Sequence, residues 1–195
     1  MFRIGYCDHN RFNPDYDKID RPEGSGDYLL LYLTTPMKMQ LGTENIVTKE
    51  GAFILYTPGT PQIYQSVRRF KNSFVHFTCD DDSFLEAYDL PVNRIVYPPD
   101  PDAMNTLMQY IYVESVGKQE HYEAQLDKLM HLLLILFSRQ LHTYPKESVF
   151  AADLYEQFKK ARTEILTHLG REWSVDNMAA LTNLGTSQFY NYYKL

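Results

Sequence analysis

Pro98-Pro99-Asp100-Pro101 divides the chain, because the spacing of apolar residues differs on its two sides. Upstream, short apolar runs alternate with turn residues, and no helical period is present. Residues 28–34, 37–41, 52–56, 62–66 and 73–79 read as strands. Thr35-Pro36, Gly42-Thr43-Glu44-Asn45, Pro58-Gly59-Thr60-Pro61 and the polar stretch 67–71 separate them. Regular short strands with such punctuation predict an antiparallel sandwich or barrel. Downstream, Met104, Leu107, Met108 and Ile111 recur at helical spacing. So do Leu126, Leu129, Met130, Leu133, Leu134, Phe137 and Leu141, after a polar bend near Gly117. The second helix is apolar on more than one face from Leu132 to Phe137, so it needs cover on several sides. A homodimer through Leu126–Leu141, sensitive to Leu133→Asp, is expected. The alternative is packing within one chain.

Further out, residues 142–148 read as a linker. Tyr155, Phe158, Arg162, Ile165, Leu166 and Leu169 then mark one helix face, with Gly170 placed to end it. Ser174 is a good N-cap with Asp176 in the first turn, so residues 175–182 form a short helix. Asn183-Leu184-Gly185 turns the chain, and residues 186–195 begin another helix. In this reading Ala179 is small where the two helices cross, Asn183 tolerates a left-handed backbone, and Leu184 fills the angle. Phe189 and Tyr193 bury the inner face. Helix, short turn, helix is the arrangement that places its second helix in the DNA major groove. Ser187, Tyr190, Asn191 and Lys194 are left facing outward as candidate DNA contacts: Ser and Asn for base edges, Lys for phosphate. An ordinary α-hairpin fits the same pattern. The expected fold class is therefore α+β, with three parts: residues 1–98, a helical hairpin and linker at 99–144, and 145–195.

The 195 residues, 44% hydrophobic and 14% aromatic, are enough for one or two domains with real cores. The net charge of −6 argues against a non-specific nucleic-acid binder. The charge is uneven: residues 1–154 hold 14 Lys and Arg against 21 Asp and Glu, whereas 155–195 hold 5 against 4. The C-terminal part is thus open to DNA contact. The longest apolar run, Leu132 to Phe137, falls far short of a membrane span, and no signal-peptide core follows Met1. Cys7 and Cys79 form no CxxC pair. Reduced thiols, a cytoplasmic location and no membrane partner are expected.

The stretch from Arg162 through Ile165, Trp173-Ser174, Ala179 and Leu184 to Phe189 and Tyr193-Lys194 resembles the first helix-turn-helix of AraC-type transcription regulators. Asn183 stands where that family has Gly, and Gly185 where it has a Ser cap. Upstream, four segments resemble, in order, the cupin-like sugar-sensing barrels of the same family. These are Asp20-Arg21-Pro22-Glu23-Gly24, Tyr28-Leu29-Leu30-Leu31-Tyr32, Gly51-Ala52-Phe53-Ile54-Leu55-Tyr56-Thr57-Pro58-Gly59 and Phe74-Val75-His76-Phe77. The resemblance implies a ligand-responsive, sequence-specific DNA-binding regulator: residues 1–98 as a cupin-like barrel with an N-terminal arm over 8–20, then a dimerisation hairpin, then an incomplete DNA-binding domain. The family's second helix-turn-helix has no counterpart before Leu195, so a truncated form that binds DNA weakly by itself is expected.

Many cupins are metal enzymes, and a metal-dependent enzyme such as a sugar isomerase is the alternative. Those enzymes gather two His and a Glu, then a further His after the Pro-Gly turn. Here the first cluster has no counterpart, and Gln62 stands in the later position. Neither GxSxG nor a phosphate-cradling loop is present, and Gly24-Ser25-Gly26 reads as a turn. The expectation is therefore no catalytic residues, no metal and no cofactor. The partners expected are promoter DNA, a small polar effector such as a carbohydrate, and a second copy of the chain. Tyr28, Leu30, Tyr32 and Thr34 share one strand face and Phe74, His76 and Thr78 another, and either facing inward suits a sugar. The resemblance implies ligand contacts from Thr34, Tyr64, Asn72 and Phe74, with Arg21 near the mouth and His76 beside them. Each of these is equally readable as a core or turn residue.

Overall fold

The computed structural model describes residues 1–142, then 157, 158, 160–165, 167, 168, 170–182 and 184–193, with backbone alone for 191–193. The chain divides into two compact units, Met1–Thr143 and Tyr144–Leu195.

The first unit has eight strands: β1 (Phe2–Asn13), β2 (Lys18–Arg21), β3 (Tyr28–Leu33), β4 (Met37–Leu41), β5 (Glu44–Val47), β6 (Ala52–Tyr56), β7 (Gln62–Ser66) and β8 (Phe70–Cys79). They make two four-stranded antiparallel sheets, ordered β1-β8-β3-β6 and β2-β7-β4-β5. The class is α+β. No strand pairing among the described residues joins the sheets into the closed barrel that was expected. The reason is topological: β1 and β6 end the first sheet, and the outer edge of β6 bonds to Val96 and Asn93 rather than to a strand of the second sheet.

β3 is buried at every position, as a central strand covered on both faces must be. One face, with Tyr28, Leu30 and Tyr32, joins Phe53, Val75 and Phe77 beneath three helices: α1 (Phe84–Ala87), α2 (Pro101–Gly117) and α3 (Tyr122–His142). The other face, with Leu29, Leu31 and Leu33, packs with Met37, Met39, Ile54 and Tyr64 between the sheets. The unit is therefore layered as helices, first sheet, second sheet. Tyr28, Leu30 and Tyr32 belong to the helix-covered core, so of the two strand faces considered for a ligand, theirs is excluded.

Asp100 caps α2 by accepting from Ala103 N–H at 3.0 Å, with Pro101 at the first helical position. Met104, Met108 and Ile111 on α2, with Met130, Leu133, Leu134 and Phe137 on α3, cover the sheet. Leu133 is fully buried within its own chain, so Leu133→Asp would unfold the protein rather than probe a dimer. On α3, Leu132 and Ile135 are the large apolar side chains left open, 49% and 37% exposed.

The arm expected over residues 8–20 is largely strand. β1 runs from Phe2 to Asn13 along β8, and β2 pairs with β7. Two register shifts in β1, between Ile4 and Cys7 and between Asp8 and Arg11, break its alternation, and Asn10 takes a left-handed φ of 51°. Gly24, in the turn between β2 and β3, has φ +68°, and a Cβ there would sit 2.6 Å from the Thr60 carbonyl oxygen. Only glycine fits that turn.

The second unit contains helical residues 160–165, α4 (Val175–Ala180) and α5 (Thr186–Tyr193). Ser174 caps α4 by accepting from Asn177 N–H at 3.2 Å. Ala161, Ala179, Thr182 and Phe189 are buried, and the Phe158 and Phe189 rings stack at 5.3 Å. The linker residues 143–148, Tyr155, Leu166, Leu169, Asn183, Lys194 and Leu195 lie outside the described residues.

Candidate functional site

A cavity of about 100 Å³ opens between the first sheet and the β2–β7 end of the second. β8 supplies one wall. Residues two apart on a strand share a face, so Phe70, Asn72, Phe74 and His76 all point into it. β2 and β7 supply the opposite wall through Ile19, Arg21 and Tyr64, with Ile19 paired to Tyr64 in register. Leu29 of β3 lies at the base, and Tyr6, Arg11 and Asn13 of β1 reach across the rim. The bulges of β1 make this possible by re-aiming its side chains.

Five of the six ligand residues expected from the sequence, Arg21, Tyr64, Asn72, Phe74 and His76, therefore come together on one cavity. Thr34 does not. It sits just past β3, where its hydroxyl donates to the Lys71 carbonyl at 2.8 Å and ties the strand end to β8. Tyr6, Arg11 and Asn13 were not among the expected ligand contacts: Arg11 and Asn13 fell in the arm over 8–20, and Tyr6 lay ahead of it where no strand was read. Their signal is faint, since the two bulges erase the period of two that marks a strand.

The polar groups are held in definite ways. Arg21 Nη1 donates to Gln62 Oε1 at 3.2 Å, and Gln62 Nε2 donates to Ser25 Oγ at 2.8 Å. His76 Nδ1 pairs with Asp27 Oδ1 at 2.9 Å. Arg11 contacts the Tyr6 hydroxyl, donates from Nε to Asn13 Oδ1 at 3.0 Å, and lies 3.4 Å from Asp8 Oδ2. Burial pushes the Tyr64 hydroxyl up to about 12, against the pull of the Arg21 charge, so it stays protonated and can donate. The Tyr6 ring meets Phe74 edge-on at 5.0 Å and lies parallel to His76 at 6.5 Å. Asn72 is 4% exposed, and its Oδ1 has no hydrogen-bond partner among the described residues.

Two larger hollows, about 290 and 360 Å³, involve the second sheet, but neither is lined by an arginine or a histidine. Among the described residues no group of three or more His, Cys, Asp or Glu is placed to hold a metal ion. No described helix is long and apolar enough to cross a membrane.

In the second unit, Ser187 and Tyr190 are exposed on α5 while Phe189 between them is buried. Thr186 Oγ1 donates to Asp176 Oδ1 at 2.6 Å, tying the start of α5 to the first turn of α4. Asn191 lies on α5, and Lys194 is outside the described residues.

No family model matches the chain, and no curated protein does. Among solved structures it is similar to ToxT from Vibrio cholerae O395, at 10% identity over 99% of this chain and 74% of that one, with a TM-score of 0.41. Unsaturated fatty acid-bound ToxT from Vibrio cholerae strain SCE256 matches at 11% identity over 99% and 73%, with a TM-score of 0.32. The AraC-like transcriptional activator CuxR matches at 12% identity over 91% and 66%, also with a TM-score of 0.32.

Proposed function

We propose that this protein is a ligand-responsive, sequence-specific DNA-binding transcription regulator of the AraC type, acting in the cytoplasm and not as an enzyme. The observation that carries the reading is in the second unit. Ser174 caps α4, Ala179 and Phe189 are buried, and Ser187 and Tyr190 are presented outward from α5. A short helix followed by one with a buried inner face and a polar outer face is what major-groove reading requires. Ser187, Tyr190 and Asn191 read bases, and Lys194 neutralises a phosphate. The cavity of the first unit supports the other half of the reading. It is small and mixes aromatic with polar side chains on both walls, which suits a compact polar effector, a sugar or a similar molecule, held by Arg21, Tyr64, Asn72, Phe74 and His76. A homodimer forms through α3, where Leu132 and Ile135 remain open.

Chromatin immunoprecipitation of the gene product from its own cells tests the DNA half. Enrichment of a small set of promoters sharing one motif is expected. Asn191→Ala should then lower discrimination by about 1–3 kcal/mol at one base pair. Lys194→Ala should weaken binding to all sequences alike and reduce the salt dependence by about one phosphate. Uniform recovery of genomic DNA, or none, would overturn the reading.

A further inference from the structure

We propose that the cavity takes a small hydroxylated carboxylate, an anion of a few carbons of the hydroxy-acid or sugar-acid class, in preference to a neutral sugar. This rests on the reading of the cavity as the effector site. Arg21 carries the argument. Its guanidinium lines the cavity, its hydrogen bond is to the neutral amide of Gln62, and no carboxylate lies within ion-pair distance of it among the described residues. A guanidinium offers five donors in a planar fork that matches a carboxylate, and one bond to an amide leaves most of that fork unused. The acidic groups nearby are already engaged: Asp27 pairs with His76, and Asp8 lies beside Arg11. Arg11 stands at the rim with its charge shared by Asp8, so Arg21 is the guanidinium an entering anion meets without a carboxylate partner among the described residues.

The hydroxyl follows from Asn72. A buried carbonyl oxygen without a donor is costly, and a ligand hydroxyl supplies what the chain does not. Tyr64 adds a second fixed polar group opposite it. The carbon skeleton lies against Phe74 and Tyr6, whose rings already form one wall. Size sets the upper limit. Pockets for drug-sized ligands run to roughly 300–1,000 Å³, and this one is about 100 Å³. A long aliphatic acid does not fit within it.

Calorimetric titration of the full chain tests the proposal with matched probes: glycerate against glycerol, xylonate against xylose, and butyrate as an acid without a hydroxyl. At least one hydroxy acid should bind, with its neutral partner and butyrate each tenfold or more weaker. Arg21→Gln should lower that affinity at least tenfold and Arg21→Lys less, with circular dichroism confirming that each variant folds. Asn72→Leu should bring the hydroxy acid down to the level of butyrate. Equal binding of xylose and xylonate, or affinity unchanged in Arg21→Gln, would overturn the anion. A neutral sugar that binds and is lost in Asn72→Leu would keep the effector cavity and sink only its charge preference. If no probe binds, the proposed ligand class falls, while DNA recognition is judged separately by immunoprecipitation.

Discussion

Two buried side chains show how single residues trade stability against other roles. Asn72 holds a carbonyl oxygen that nothing in the chain satisfies. Leaving a buried acceptor unpaired costs about 1–3 kcal/mol, and replacing the group with an apolar one of similar shape removes that cost. Asn72→Leu should therefore melt at a higher temperature than wild type without ligand, by scanning calorimetry; a lower melting temperature would mean that the amide is satisfied. Asp127 is the opposite case. It is buried on α3, yet it accepts from Phe2 N–H at 2.8 Å and pairs with Lys128 at 3.0 Å and His131 at 3.6 Å. Burial alone would raise its pKa, but these partners together hold the carboxyl below its ordinary value. A depressed folded-state pKa contributes stability above the unfolded value, about 3.9, and that stability is lost as pH falls through the folded value. Asp127→Asn keeps an acceptor for Phe2 but no charge, so its urea stability should fall less steeply than wild type below about pH 4. Parallel acid profiles would contradict this.

At the scale of elements, α3 presents different faces to the sheet and, in the proposed dimer, to a second copy. Leu133, Leu134 and Phe137 seal the sheet, with the Phe137 ring 5.9 Å from Phe53, whereas Leu132 and Ile135 look outward. The double variant Leu132→Asp/Ile135→Asp should keep its fold and become a monomer by light scattering; a dimer that persists would place the contact elsewhere. Leu133→Asp should instead lose the fold, since a charge without a partner would be buried. The sequence made some elements plain and hid others. β4, β6 and β7 match the residues read from the sequence and β3 is one shorter, because turns rich in Pro, Gly, Thr or, after β7, Arg bound each run. β2 and β5 have four residues apiece, too few for a period to show. β1 is long, but its bulges scramble the alternation. The cavity was legible to the same degree. Its β2, β7 and β8 walls were found through family resemblance, while Tyr6 and Arg11 were lost with the strand that carries them.

For the molecule as a whole, β1 lies between two worlds. Its bulged stretch reaches the cavity rim through Tyr6 and Arg11, while its Phe2 packs with α1 and its Cys7 Sγ meets Ser115 Oγ of α2 at 3.1 Å. It also joins the two ends of the sheet unit in time. Phe2 pairs with Cys79 and Asn13 with Phe70, so the first strand made must wait for the last. At the roughly 5–20 residues per second of protein synthesis, β1 stays without its partner for several seconds as the chain emerges. Closing so long a loop before any contact rewards it makes the first sheet a slow, late event. A nascent chain halted before Phe70 should remain open to protease, and one extended past α3 should become resistant. The strand at the mouth of the candidate site is thus the first to be made, yet it can settle only after the last strand of its unit has emerged.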